Sequence, residues 1–457
     1  MICEGIIDGS EGIERAENKG YEIIGSLIHA SLLIEDEKKA LREVYMHDVV
    51  REMALWIAFD FGKHKDNFVV RAGVGLHELP RLKNWNAVKR MSLMSNKISR
   101  VSGSIECHEL TTLFLQKNKK TLVSISGEFF KSMPRLVVLD LSYNTNLSEL
   151  PDEISELVSL RYLNMSFTGI QCLPVGFLEL KNLIHLDLED TSKLSSIVGI
   201  CALVNLKVLR LLRSNVWCGP NTLEELQFLE HLEILTIGII YGLGLDQFFK
   251  SHKLMRCTQA LAVKSCQLES SNVSLLASME KVHELLFNGC TFSDIKMDVA
   301  CNRSKTVPKN ACFKNLSRIT LQKCEGVRDL TWLMFASNLT VLFICGVKEV
   351  EDIISKEKAL VGEVLSSEIV PFQKLRTLRL VDLPELKAIY WSSLPFPCLT
   401  KIVVFNCPKL KKLPLKSCSG GEGGLVIKYA EKEWLEGVEW EDEATKARFL
   451  LSCIQQV

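Results

Sequence analysis

One short phrase, repeated four times, constrains this chain more than any other feature. Leu136, Leu139 and Leu141 stand three and then two places apart, and the spacing returns at Leu160, Leu163 and Met165, at Leu183, Leu186 and Leu188, and at Leu206, Leu209 and Leu211. The starts fall at 136, 160, 183 and 206, a nearly constant period. Within each phrase the apolar fourth and sixth places alternate with polar or variable residues, the pattern of a short strand with one buried face. A unit this small cannot cover its own apolar face, so neighbours must stack it into a continuous core. The ninth place holds Asn144, Thr168, Thr191 and Ser214, small polar side chains that can turn inward where the backbone bends.

L-x-x-L-x-L at a period in the twenties resembles the leucine-rich repeats of intracellular receptors and adaptors. The resemblance implies an α/β solenoid, a curved horseshoe with variable strand positions lined up on its concave side. Upstream, Val88, Met91, Leu93 and Asn96 fit the full template, and Leu110, Leu113 and Leu115 continue it one period later. Further strands are expected at 232–237, 261–263, 285–287, 319–321, 342–344, 378–380 and 402–404, about a dozen repeats in all across residues 86–415. Two spacings, from Val282 to Leu316 and from Leu339 to Leu375, break the period by being half as long again. The polar surplus around 298–308 and 355–367 is expected to project as loops. Residues 416–457 read as an acidic, Trp-containing cap over the open end of the core, joined through the glycine-rich stretch at 420–424.

The chain carries 55 basic and 55 acidic side chains, so no bulk attraction to nucleic acid or membrane is implied. The distribution is uneven: residues 1–60 carry a net −7, residues 420–457 a net −4, and the stretch between them +11. Such a chain can dock its acidic ends on its own basic middle or on an acidic partner, although a merely solvated surface is the simpler expectation. Sixteen cysteines invite a disulfide framework, yet Glu4, Asp8 and Glu11 stand where a signal peptide needs a basic and then an apolar stretch. The expectation is a reducing, cytoplasmic setting with free thiols, four of which, Cys266, Cys290, Cys324 and Cys407, fall at the ninth place of later repeats. There is no C-x-x-C and no H-E-x-x-H, so no metal site is expected. The longest uncharged apolar run, 234–245, is too short to span a bilayer.

Residues 1–60 do not repeat. Ala16, Gly20, Ile23, Ile24, Leu27 and Ile28 are spaced as one face of a helix over 13–30, and apolar runs at 31–35 and 44–46 flank a charged turn at 36–40, as in a hairpin. A second helix is expected from Asp48 as N-cap, with Val50, Met53, Ala54 and Ile57 along one face. Helix, hairpin and helix suggest part of a winged helix, but the acidic balance lacks the basic footprint that DNA phosphates require.

Met46, His47, Asp48 and Val49, running into this helix, resemble the M-H-D motif of plant nucleotide-binding leucine-rich-repeat (NLR) disease resistance proteins of the coiled-coil class. Glu4 to Asp8, Gly20 to Gly25, Leu330 to Leu333, and Tyr390 with Trp391 resemble the same class, so the likeness runs from the first residues to the acidic tail at Trp434. It implies that residues 1–60 are the C-terminal part of an NB-ARC winged-helix region and residues 61–85, with Gly73, Gly75 and Pro80, a linker. It also implies that His47, supported by Met46 and Asp48, reaches the phosphates of ADP; a site before a helix N-terminus suits an anion. A phosphate-cradling G-x-x-x-x-G-K-[ST] loop is nowhere in the chain. The chain therefore looks like the C-terminal half of such a receptor, without the coiled coil and phosphate loop. It is expected to hold no cofactor by itself, ADP or ATP belonging to the full-length relatives.

No nucleophile, base and orienting acid can be assembled from the sequence, so catalysis is not expected. Binding has a geometric basis in the concave face, where Arg161, Tyr162, Asn164, Phe167, His185, Asp187, Lys207 and Arg210 fall. Tyr162, Phe167 and Arg210 are the first candidates, because aromatic and arginine side chains dominate binding hot spots. The resemblance implies protein partners: a pathogen effector or a guarded host protein, and in full-length relatives the chain's own NB-ARC domain. It implies a cytoplasmic location, or the periphery of the plasma membrane through a partner, with no nucleic acid and no membrane span. The alternative is a free-standing repeat scaffold such as a ubiquitin-ligase substrate receptor. A nucleotide-dependent enzyme acting alone is disfavoured by the missing phosphate loop.

Overall fold

The computed structural model describes residues 1–36, 43–58, 67–103, 105–118, 121–293, 313–361, 370–421 and 424–456. It divides into two compact units, residues 1–217 with 224–236, and residues 218–223 with 237–457.

The first unit opens with helix α1 (Ile13–His29), strands β1 (Ile34–Asp36) and β2 (Glu43–Tyr45), and helix α2 (Asp48–Ala58). β1 and β2 pair antiparallel with Glu35 opposite Val44, the expected hairpin; the charged turn between them lies outside the described residues. Strands β3 (Phe68–Val70), β4 (Arg90–Ser92), β5 (Arg100–Val101), β6 (Thr112–Phe114), β7 (Ser124–Ile125), β8 (Val138–Asp140), β9 (Tyr162–Asn164), β10 (His185–Asp187), β11 (Val208–Arg210) and β12 (Ile234–Ile240) follow. β5 pairs with β7 apart from the rest. The others form one parallel ladder in which Val69, Met91, Leu113, Leu139, Leu163, Leu186, Leu209 and Leu235 stand side by side, all buried. The fourth-place leucine of every phrase is therefore the register mark of the ladder. β3 begins this ladder within the stretch expected to be a linker, because Val69 supplies the same inward apolar residue as the phrases that follow.

Short helical turns carry the chain back: α3 (Gly127–Lys131), then 3-10 turns over Asp152–Glu156, Val175–Glu179 and Ile200–Ala202, which bury Phe130, Ile154, Phe177 and Ile200. Successive turns stack so closely that a Cβ on Gly176 would come 2.0 Å from the carbonyl oxygen of Asp152. The ninth-place residues bond as the bend requires. Thr168, Thr191 and Ser214 each donate a hydroxyl to the carbonyl three places back, at 2.7 Å. Asn96, Asn118 and Asn144 do the same with their amides and also reach the repeat before, satisfying backbone groups that are buried between coils.

In the second unit β13 (Thr258–Lys264), β15 (Glu284–Asn288), β17 (Arg318–Gln322), β18 (Val341–Cys345), β19 (Thr377–Val381), β20 (Lys401–Phe405), β21 (Val426–Tyr429) and β22 (Cys453–Gln455) form a parallel ladder, with β14 (Gln267–Leu268) and β16 (Thr291–Phe292) paired separately. Leu261, Leu285, Ile319, Leu342, Leu378, Ile402 and Ile427 share one row, so the two long spacings extend the return path without shifting the register. The insertion expected at 298–308 lies outside the described residues; of the one at 355–367, Lys356–Val361 is a helical turn, not a loop. The stretch expected as a C-terminal cap continues the ladder instead. β21 and β22 extend the ladder, since Ile427 repeats the buried mark, and Trp434 donates its indole N–H to the Leu410 carbonyl at 2.8 Å. Cys266, Cys290, Cys324 and Cys407 are free and buried at their ninth places, their thiols donating to backbone carbonyls.

Candidate partner-binding face

In the first unit, side chains flanking the buried leucines point outward in two columns. One runs Arg90, Thr112, Val138, Tyr162, His185, Val208, Ile234, and the other Ser92, Phe114, Asp140, Asn164, Asp187, Arg210, Thr236. Of the residues expected on this face, Tyr162, His185, Asn164, Asp187 and Arg210 lie in the columns, Arg161 and Lys207 immediately before them, and Phe167 on the turn beyond.

This face is not open along its whole length, because the N-terminal segment through α1 rests on it. Ile13 packs on Val208 and Ile234, with Ile2 and Ile184 beside them. The Glu233 carboxylate accepts the Ile13 backbone N–H at 2.7 Å and pairs with Lys207 at 2.9 Å. Gly12, at the N-cap of α1, has no side chain to do this, so a carboxylate from the ladder serves the helix end and its dipole. Glu17 of α1 faces Arg210 at 3.7 Å, and Glu4 accepts from Arg90 at 2.9 Å and from the Thr112 hydroxyl. The Cys3 thiol donates to the Arg161 carbonyl at 3.8 Å. The buried Ile13 side chain contributes about 2 kcal/mol and a part-exposed pair such as Glu17–Arg210 well under about 1 kcal/mol, so apolar contact holds the segment and the charges set its position. The acidic excess of residues 1–60 is thus partly docked on the basic ladder rather than merely solvated.

Under α1 the electrostatics are unusual. The Tyr162 and His185 rings lie 4.6 Å apart at 33°. Burial, and secondarily Arg210, push His185 down to about 3, while burial and Glu189 push the Asp187 carboxyl up to about 7. Burial also raises the Tyr162 phenol, Asp140 and Glu17. The linkage signs follow from these directions. Folded Asp187 keeps a proton that the unfolded chain sheds near 3.8, so its contribution is present at low pH and lost as pH rises to about 7. Folded His185 refuses a proton that the unfolded chain takes near 6.5, so its contribution is lost as pH falls from there toward 3. Between about 4 and 6.5 the two oppose each other. In His185→Gln the opposing effect is gone and Asp187 acts in the same direction as the raised Asp140 and Glu17, so urea unfolding should show the variant more stable at pH 5 than at pH 7.5. An equal or reversed difference would contradict a protonated Asp187.

Asn164 and Phe167, both half-buried, are not among the residues that line the cleft under α1. Asn164 accepts from the Ser166 N–H and hydroxyl at 2.9 and 2.8 Å and donates to the Tyr162 hydroxyl at 3.4 Å. Phe167 stacks on Tyr143 at 4.5 Å and 7°, with the Lys117 ammonium 5.6 Å from the Tyr143 ring. Both rings stand on left-handed backbone, φ 55° and 61°, a conformation bulky residues avoid unless their surroundings impose it.

The M-H-D residues are elsewhere in the unit. His47 is exposed, and its Nδ1 accepts the Val49 N–H at 3.3 Å; it therefore caps α2 in place of Asp48, which is the first helical residue and pairs with Arg51 at 3.2 Å. Met46 is half-buried. The ladder-binding roles of Glu4 and Glu17 had one sequence signal, the charge asymmetry between the ends and the middle of the chain; the helix-end role of Glu233, in that middle, had none.

The fold and this outward face define a leucine-rich-repeat protein, and the family model for a leucine-rich repeat region matches residues 87–412. Within that class the chain belongs with the plant disease resistance proteins. It is 54% identical over 456 residues to the probable disease resistance protein At1g12290 of Arabidopsis thaliana, covering 99% of this chain and 50% of the relative. It is 52% identical over 455 residues to disease resistance protein RPS5 of the same plant, with 99% and 50% covered. The chain spans about half the length of these curated relatives. Among solved structures, the functional domain of InlJ from Listeria monocytogenes resembles it with a TM-score of 0.46 at 13% identity, over 81% of this chain and 70% of that one. The Arabidopsis receptor kinase HAESA ectodomain does so with a TM-score of 0.42 at 15% identity, over 78% and 66%.

Proposed function

We propose that this chain is the sensing and restraining half of an intracellular plant immune receptor of the nucleotide-binding, leucine-rich-repeat kind. Its repeats bind a pathogen effector or a guarded host protein, and its N-terminal region, the end of an NB-ARC winged helix, couples that binding to the nucleotide switch. The observation that carries this reading is the seat of α1 on the columns of Tyr162, His185, Val208 and Arg210. A partner that grips Tyr162 or Arg210 must share the face with α1 or displace it, so recognition and restraint use one surface.

Two further observations support it. The relatives are disease resistance proteins about twice as long. α2 buries none of its residues, leaving Val49, Met53 and Ile57 at 62%, 58% and 56% exposure, a face suited to a further domain. His47, at the start of α2, is placed for an anionic phosphate, and ADP or ATP would be held mainly by the nucleotide-binding domain of the full-length protein. The work is binding rather than catalysis, in the cytoplasm or at the inner membrane surface through a partner. Among the described residues no helix is long and apolar enough to cross a membrane.

The test is to co-express the chain with the coiled-coil and nucleotide-binding half of a close relative and assay bound nucleotide by chromatography. A stable complex retaining ADP supports the reading; a folded, monodisperse chain that does not associate refutes it. In a receptor restored to full length, His47→Ala is expected to release ADP and signal without ligand. A variant that keeps ADP and stays silent would show that His47 does not contact the nucleotide.

A further inference from the structure

We propose that the cleft between α1 and the strand ladder of the first unit is a binding site for a small hydrophobic primary amine. The cleft has a volume of about 540 Å³, within the range of small-molecule sites. Its walls are apolar: Ile7 and Ile24 from the N-terminal segment, Phe114 and Val138 from the ladder, and Tyr21 at the side.

The polar groups that converge in it are mostly acceptors. Gln116 Oε1 is buried and has no hydrogen-bond partner among the described residues. Gln116 lies two places beyond Phe114, the strand partner of Asp140, so the two acceptors sit on neighbouring repeats. The Asp140 carboxylate accepts the Ser142 N–H at 2.9 Å. Burial raises its proton affinity despite Lys117 nearby, the mark of an anion not fully compensated. Glu17 adds a second carboxylate from the α1 side, drawn toward Arg210, and His185 is held neutral.

An orphan amide oxygen and an under-compensated carboxylate lining one cleft ask for a donor carrying positive charge. An ammonium supplies three donors and one charge, and an apolar body of one ring fills the walls. A carboxylate ligand would meet Asp140 and Glu17 as like charges. A neutral amide would satisfy Gln116 but leave Asp140 as it is. With one wall from α1 and the other from the ladder, such a ligand would also fasten the helix to the repeats.

The experiment is a ligand-observed NMR titration of the purified chain with phenethylamine, alongside N-acetylphenethylamine and 3-phenylpropionate, its neutral and anionic counterparts. Saturable binding of the amine is expected. Acetylation should weaken it about tenfold or more, the weight of one charged hydrogen bond, and the carboxylate should not bind. Asp140→Asn keeps an oxygen for the Ser142 N–H and so preserves the turn, which circular dichroism can verify; it should weaken the amine by the same factor, and Gln116→Leu should weaken it too. Absence of saturable binding, equal binding of all three probes, or full affinity in a folded Asp140→Asn chain would each overturn the proposal.

Discussion

Ile13→Asp is expected to release the N-terminal segment from the ladder and speed trypsin cleavage at Arg15 and Lys19 about tenfold or more. Ile13 is 4% exposed, and its side chain is the apolar anchor against Val208 and Ile234. An aspartate there would be buried without a partner, beside the Glu233 carboxylate that already holds the Ile13 N–H. Burying an unpaired charge costs several kcal/mol, more than the part-exposed pairs of Glu17 with Arg210 and Glu4 with Arg90 return. Detachment is therefore favoured over tolerance. The ladder itself should stay folded, since its leucines are untouched, so circular dichroism should lose no more than the helical signal of α1. Unchanged cleavage would mean that the polar contacts alone hold the segment, and would remove the observation on which a shared surface for recognition and restraint rests.

Asn118→Ala is expected to destabilise the first unit by about 2 kcal/mol, measured as a lowered urea midpoint. Asn118 is fully buried; its amide donates to the carbonyls of Leu93 and Leu115 at 3.2 and 2.8 Å, and its Oδ1 accepts the Ile98 N–H at 3.3 Å. The two carbonyls each keep a second asparagine, Leu93 from Asn96 and Leu115 from Asn144. The Ile98 N–H has no such reserve, so the loss is one orphaned buried donor plus the space left by the side chain. Thr168→Ala, which removes a single hydroxyl bond to the Met165 carbonyl, should cost about half as much. A loss below about 0.5 kcal/mol for Asn118→Ala would mean that water reaches the bend and replaces the amide.

The repeat architecture is legible because its signal is local and periodic. A leucine recurring once per repeat states which side chain is buried and, through the row from Met91 to Leu235, which residue pairs with which. The same rule locates the inward cysteines of the second unit. It fails where the phrase is worn down: Val69 and Ile427 carry the buried mark without the flanking leucines, so β3 reads as linker and β21 as cap. Cap chemistry is legible only in part, because His47 and Asp48 can each serve a helix start and the backbone geometry chooses His47.

The repeat, its inward face and the polar residues of its bends are written in the order of the residues, since each depends on contacts between residues about one period apart. That residues 1–29 partly occupy this face emerges only in three dimensions. The contacts that seat α1 and the segment before it join Glu4 to Arg90, Glu17 to Arg210 and Ile13 to Glu233, single residues far apart in the chain. Single long-range pairs leave no period in the sequence, and isolated acids and bases look the same whether solvated or docked. Only when the ladder brings Val208 and Ile234 side by side does a surface exist for Ile13 to cover, and covering it gives Tyr162, His185 and Asp187 a buried setting that their place in the repeat does not specify.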